Sequence, residues 1–210
     1  MLHKDPFIIH PETFQLIQQI QALPELSKFY LVGGTSLALQ IGHRNSIDID
    51  LFTNEPFEAD EVIDLLQNKF TVEVSSKKVN SLFTFVNDVK TDFIRHNYAL
   101  INAPIKEEGI SFLSAADISA LKLNAIINSG KRLKDFVDLY FLLEHFTLNE
   151  MIGFFEIKYP HMNAVIALKS LSYFEDIDPE MDPPKLRIKL PLSQIKQRIE
   201  RAIVNGNAYF

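Results

Sequence analysis

The sequence predicts an α+β protein: an N-terminal core made of a small mixed sheet flanked by helices, followed by a C-terminal helical region. Three observations carry this. Short apolar runs of strand type cluster between residues 29 and 94, and after Ser111 the apolar residues recur at helical spacing to the end. Mixed elements followed by a run of helices is the pattern of segregated layers rather than of alternating βαβ units. Finally, 210 residues at 47% hydrophobic suffice for one full core, or for a compact core plus a small second domain. The expected division is 1–101 and 102–210, with the joint near residues 102–109.

The elements follow in order. Phe14, Leu16, Ile17, Ile20 and Leu23 recur at helical spacing after Pro11-Glu12, so residues 11–23 form an entry helix. Phe29-Tyr30-Leu31-Val32 is a short strand stopped by Gly33-Gly34, after which Thr35 caps a helix through Ala38, Leu39 and Ile41. In residues 47–52, Ile47, Ile49 and Leu51 alternate with Asp48, Asp50 and Phe52, so both aspartates leave one face of a strand. Residues 58–70 read as a helix with Val62, Leu65 and Leu66 inward. Strands follow at 71–75, 82–86 and 89–94, the last two joined by an Asn87-Asp88 hairpin turn. Helices are expected at 114–127, 133–146, 148–159, 161–173 and 192–204. Residues 176–184 hold three prolines among acidic residues and read as a loop.

Composition narrows the chemistry. The chain has no cysteine, which excludes disulfides, thiolate metal sites and cysteine nucleophiles. The N-terminus shows no basic region followed by an apolar stretch, and no run of about eighteen apolar residues occurs anywhere. A soluble, cytoplasmic protein without membrane contact is expected. A net charge of −6 argues against indiscriminate coating of nucleic acid, which depends on clustered Lys and Arg.

One ordered constellation points to phosphate chemistry. Gly33-Gly34 lets backbone approach phosphate oxygens, and the helix that follows offers unsatisfied N–H groups and a favourable dipole. Thr35 or Ser36 adds a hydroxyl donor. Asp48 and Asp50 supply hard oxygen ligands for Mg²⁺ (or Mn²⁺), whose remaining positions go to substrate phosphates and water. Asp92, on the strand Val89-Lys90-Thr91-Asp92-Phe93-Ile94, is the third carboxylate if its strand lies beside the first pair. With metals held there, carboxylates position rather than react.

A second cluster lies in Lys131-Arg132-Leu133-Lys134-Asp135-Phe136-Val137-Asp138. Lys134 and Asp138 share a helical face, as do Lys131 and Asp135, which fits surface ion pairs. Lys122 sits within an apolar helix, where a cation has an assigned anion. For Lys122 and Lys134, nucleotide phosphate and protein carboxylate both fit. Arg44, Lys122, Lys131, Arg132 and Lys134 would line one basic mouth. Lys185, Arg187, Lys189, Lys196, Arg198 and Arg201 make a second group, which also fits the solvated side of a strand and a helix.

These motifs resemble the AbiEii family of nucleotidyltransferase-like toxins, within the polymerase-beta-type superfamily. Leu31 to Leu39 followed by His43 to Phe52 resembles its first motif, a Gly-Gly-Thr turn and then Asp-x-Asp. Lys90-Thr91-Asp92 resembles its Lys-x-Asp motif, and Leu133-Lys134-Asp135-Phe136-Val137-Asp138 its Leu-Lys-Asp-x-x-Asp motif. Residues 171–176 resemble its last helix running into an acidic loop. The resemblance implies a nucleotidyltransferase core, closed over the nucleotide by the helical region. It implies that Gly33, Gly34 and Thr35 hold the triphosphate of an NTP, that Asp48 and Asp50 bind metal, and that Lys134, Asp135 and Asp138 complete the site. The implied reaction moves a nucleoside monophosphate to an acceptor, for some members a tRNA 3′ end, in the toxic half of a toxin–antitoxin or phage-defence pair. Nucleotidylation of a protein hydroxyl, or a catalytically idle nucleotide-binding module, would use the same motifs.

Overall fold

The computed structural model describes all residues, Met1–Phe210, and divides them into two compact units. The first comprises Met1–Tyr98 and Ala103–Leu113, the second Ala99–Asn102 and Ser114–Phe210. No helix is long and apolar enough to cross a membrane.

In the first unit, α1 (Pro11–Gln21) opens with proline in its first turn and buries Leu16, Ile17 and Ile20. Strand β1 (Tyr30–Leu31) leads directly into α2 (Gly33–Ile41), and β2 (Ile49–Thr53) into α3 (Ala59–Gln67). Next come β3 (Val72–Lys78), β4 (Ser81–Val86) and β5 (Val89–Arg95). The β4–β5 turn forms as the sequence predicts: Asn87 and Asp88 both have positive φ, 46° and 63°, as a two-residue type I′ hairpin requires. A second hairpin, β6 (Ile105–Glu107) and β7 (Ile110–Phe112), occupies the stretch read from sequence as a joint. Three-residue strands carry too little periodicity to register locally. They exist because β7 finds a parallel partner in β1, at Leu31 opposite Phe112.

The seven strands form one mixed sheet in the order β3-β4-β5-β2-β1-β7-β6. Its inner face carries Ile49, Leu51, Leu82, Val86 and Phe93, packed with α1 and α3 residues such as Ile17, Ile20, Val62 and Leu66 into the main core. Phe29 meets Phe57 and Phe93 edge-on there, at centroid distances of 5.1 and 5.3 Å. Asp50, Phe52, Asp92 and Ile94 lie on the opposite face.

The second unit is helical: α4 (Ala115–Asn128), α5 (Leu133–Leu142), α6 (Leu148–Lys158), α7 (Ala164–Leu171) and α8 (Leu192–Val204). Ser114 caps α4 by accepting from the Asp117 N–H, and Thr147 with Glu150 closes a capping box on α6. Three buried ion pairs, in two clusters, organise the interior. Lys158 on α6 donates to Asp117 at 3.0 Å and to the Ala99 carbonyl at 2.9 Å, and Asp117 also accepts from the backbone N–H of Ile101. Lys122 on α4 reaches both Asp135 and Asp138 on α5, each at 2.7 Å. Residues 185–189, read as one side of a strand, have no strand, while Arg198 lies 3.6 Å over the Tyr140 ring and pairs with Glu144.

Candidate active site

The sheet brings Asp50 and Asp92 face to face. Strand β2 pairs with β5 in parallel, and the register sets Asp50 opposite Asp92, so both carboxylates leave the same side of neighbouring strands. Asp48 precedes β2, half-exposed, and its charge is felt at Asp92 and Lys90. The three carboxylates expected from sequence therefore share one electrostatic neighbourhood.

Lys90 belongs to it as well. Its ammonium lies 3.2 Å from Asp92 Oδ2. The sequence set Lys90 in the Lys-x-Asp motif with Asp92 without giving it a role, although the same two-residue alternation puts both on one face. Burial draws the Lys90 pKa down, but attraction to Asp92, Asp48 and Asp50 outweighs it, and the net shift is upward. For Asp92, burial is the largest influence and raises its pKa; Lys90 pulls it back and Asp48 pushes it further up, leaving it above the ordinary carboxylate value.

The glycine turn abuts these acids. Gly33 has φ +68°, a left-handed conformation that side chains resist, and a Cβ there would collide with the Asp50 carboxylate. A Cβ on Gly34 would strike the Arg44 guanidinium, itself buried and donating to the Asn45 carbonyl at 2.8 Å. Thus a carboxylate and a guanidinium flank the first turn of α2, where backbone N–H groups lack helical partners. Gly33→Ala is expected to destabilise the protein by about 1–3 kcal/mol through strain alone. It should also displace Asp50, so that nucleotidyl transfer falls further than a matched loss of stability explains. A melting curve beside turnover checks this, and full activity would separate the turn from the site.

Thr35 does not cap the helix. Val32 is the N-cap residue, without a side-chain bond, because α2 begins at Gly33 itself. The Thr35 hydroxyl is buried, donates to the Asp48 carbonyl and accepts from the Ser46 hydroxyl, fixing the loop that carries Asp48. Ser36 is also buried, its hydroxyl accepting from Gln40. The Thr35 hydroxyl is thus engaged with the Asp48 loop and that of Ser36 with the Gln40 side chain, while main-chain N–H groups at the start of α2 remain as donors for an anion.

The second cluster forms other pairs than its spacing allowed. Asp138 turns inward to Lys122 instead of pairing with Lys134, and Asp135 does the same instead of pairing with Lys131. Burial decides this: a cation on the apolar face of α4 needs anions at hand, and both aspartates lie on the buried side of α5. Lys122 thereby meets protein carboxylates, one of the two partners its setting permitted. Lys134 pairs with Asp182 of the acidic loop, as does Arg132 at 3.6 Å. Lys122, Arg132 and Lys134, three of the cations expected to line a basic mouth, are thus met by carboxylates of the second unit.

The donors present fit a hard divalent cation. Asp92 Oδ1 is buried without a hydrogen-bond partner, an arrangement that leaves a carboxylate oxygen unsatisfied unless a ligand meets it. No group of three or more His, Asp or Glu side chains forms a ready-made metal cage. Mg²⁺ does not need one, since it is held by one or two carboxylates with water and substrate phosphates completing the shell.

Comparison with known proteins places this arrangement. The model of the family described as "Nucleotidyl transferase AbiEii toxin, Type IV TA system" matches residues 15–82, the segment running from α1 through the glycine turn and Asp48-Ile49-Asp50 into β4. The uncharacterised protein aq_aa25 of Aquifex aeolicus (strain VF5) is 31% identical over 176 residues, covering 81% of this chain and 85% of its own. Among solved structures, JHP933 from Helicobacter pylori superposes with a TM-score of 0.59 at 17% identity, covering 93% of this chain and 89% of its own. A Helicobacter pylori chain provisionally described as a nucleotidyltransferase gives 0.58 at 16% identity, over 93% and 92%. At such identities the structures attest the fold. The class to which fold and site belong is that of the nucleotidyltransferases. Within it, the chain belongs to the AbiEii toxin family.

Proposed function

We propose that this protein transfers a nucleoside monophosphate from an NTP to an RNA 3′ end, as the toxic member of a toxin–antitoxin pair, with Asp48, Asp50 and Asp92 serving a divalent cation. The observation that carries the site is the register of Asp50 opposite Asp92, beside the Gly33-Gly34 turn. Family membership supports the reaction class and an antitoxin partner.

In this reading the acceptor oxygen attacks the α-phosphorus, a new P–O bond forms, the bond to the bridging oxygen of the β-phosphate breaks, and pyrophosphate leaves. Backbone N–H groups at the start of α2 orient the triphosphate, and the dipole of that helix favours its charge. Asp92, with its pKa raised, accepts the acceptor's proton. Lys90 balances the carboxylates in the absence of substrate. Bound Mg²⁺ or Mn²⁺ would lower the acceptor's pKa and stabilise the leaving group.

Incubation with each α-labelled NTP and total cell extract tests the reaction. Label that enters RNA and is released by ribonuclease is the expected result. Label in protein would replace the RNA acceptor by a protein hydroxyl, and no label from any NTP would sink the transferase reading.

A pH prediction follows from Asp92. Its pKa in the folded, metal-free protein lies above the ordinary 3.8, so the native state binds this proton more tightly than the unfolded chain does. Ionising Asp92 therefore costs stability above its folded pKa, and that cost fades as pH falls through it. Metal binding must expel the proton, so Mg²⁺ affinity should drop on acidification at higher pH than ordinary carboxylates allow. Calorimetric titrations of wild type and Asp92→Asn check this: the variant should lose the acid limb, and identical profiles would remove Asp92 from the metal site.

A further inference from the structure

The carboxylate face of the sheet continues past Asp50 into a row of rings. Phe52 follows Asp50 by two positions on β2 and so leaves the same face, roughly 7 Å further along the strand. Its ring stacks on His96 at a centroid distance of 5.1 Å and an interplanar angle of 30°, and His96 meets Tyr98 at 4.7 Å and 44°. Tyr98, the end of the row, is 44% exposed.

The backbone that presents these rings is held at several points. The His96 N–H donates to the Thr53 carbonyl at 2.8 Å, and the Tyr98 N–H to the His96 carbonyl at 2.9 Å. Asn54 Nδ2 donates to the Tyr98 carbonyl at 3.1 Å, and Arg95 Nε to the Asn54 carbonyl at 3.2 Å. The three rings stand outside the core cluster that packs on the opposite face of the sheet with Leu51 and Phe93. Flat rings fixed in sequence, starting at Phe52 on the face that carries Asp50 and Asp92 and ending in an exposed tyrosine, suit a flat aromatic ligand, and the nucleobase is the one this reaction provides.

We infer that Phe52, His96 and Tyr98 form a nucleobase-stacking platform, on which the terminal base of the acceptor lies with its sugar hydroxyl directed toward Asp50 and Asp92. The inference rests on the nucleotidyl-transfer reading for the base's identity as acceptor, though the platform is testable by binding alone. The incoming NTP also carries a base, so the test has an arm for each source.

Affinities of nucleoside 5′-monophosphates and of ribose 5-phosphate, which lacks a base, are measured by calorimetry on wild type, Tyr98→Leu and Tyr98→Phe, with a melting curve for each. The monophosphate should bind wild type about 5- to 160-fold more tightly than ribose 5-phosphate, the range that one stacked base supplies. Tyr98→Leu should lose that difference and Tyr98→Phe keep it. Equal binding of the two ligands by wild type, or an unchanged difference in Tyr98→Leu, overturns the platform. A short oligoribonucleotide and an NTP are then titrated against the same variants. Loss for the oligoribonucleotide supports the acceptor placement, and loss for the NTP alone overturns it. A wild type that discriminates bases yet labels no acceptor would sink the proposed reaction and leave the platform standing.

Discussion

Asp50→Asn should lower nucleotidyl transfer by at least ~10²–10³-fold, the range for losing one preorganised charged group at a reacting centre, while the protein stays folded. Asparagine keeps the shape that sits against Gly33 and removes the charge that faces Asp92 across the β2–β5 pair. Asp48→Asn should behave alike, since Asp48 belongs to the same field. Turnover with labelled NTP in excess Mg²⁺, beside a circular-dichroism melt, gives the answer. Wild-type turnover in either variant would mean that the metal is held elsewhere.

The largest effect on stability is expected at Lys122. Lys122→Met leaves Asp135 and Asp138 buried without the cation they share, and breaking a buried pair by removing one partner costs about 3–5 kcal/mol. Adding Asp135→Asn should recover part of that loss, because it removes one of the stranded charges. Lys134→Ala is the internal control: Asp182 is about half exposed, and the loss should stay near ~0.2–1 kcal/mol. Denaturant titrations of the four proteins decide it. Equal small losses for Lys122→Met and Lys134→Ala would show that the buried triad does not hold α4 to α5.

Much of the frame was legible residue by residue. Local periodicity identified every long helix, and α8 spans Leu192–Val204 as its pattern indicates. The positive φ of Asn87 and Asp88 follows from residue types that tolerate it. Gly33 and the alternation of Asp48 with Asp50 marked the site for the same reason: both are properties of a few adjacent residues.

What the sequence by itself determined is therefore the order of elements, the faces of each strand and helix, and the residue types gathered at the glycine turn. Tertiary structure alone decided which strands beyond the β4–β5 hairpin became neighbours and which ions became partners. Nothing within residues 47–52 says that they pair in parallel with residues 89–95, some forty positions away, yet only that register sets Asp50 against Asp92. The β6–β7 hairpin became structure only when β1 offered it an edge. Lys134 stood within reach of Asp138 by helical spacing, but Asp138 lies on the buried side of α5, where the buried ammonium on α4 requires its anions. Asp138 accordingly faces Lys122, and Lys134 takes Asp182 from a loop 48 residues away. Spacing fixes which contacts are sterically open, and desolvation across the packed core selects among them.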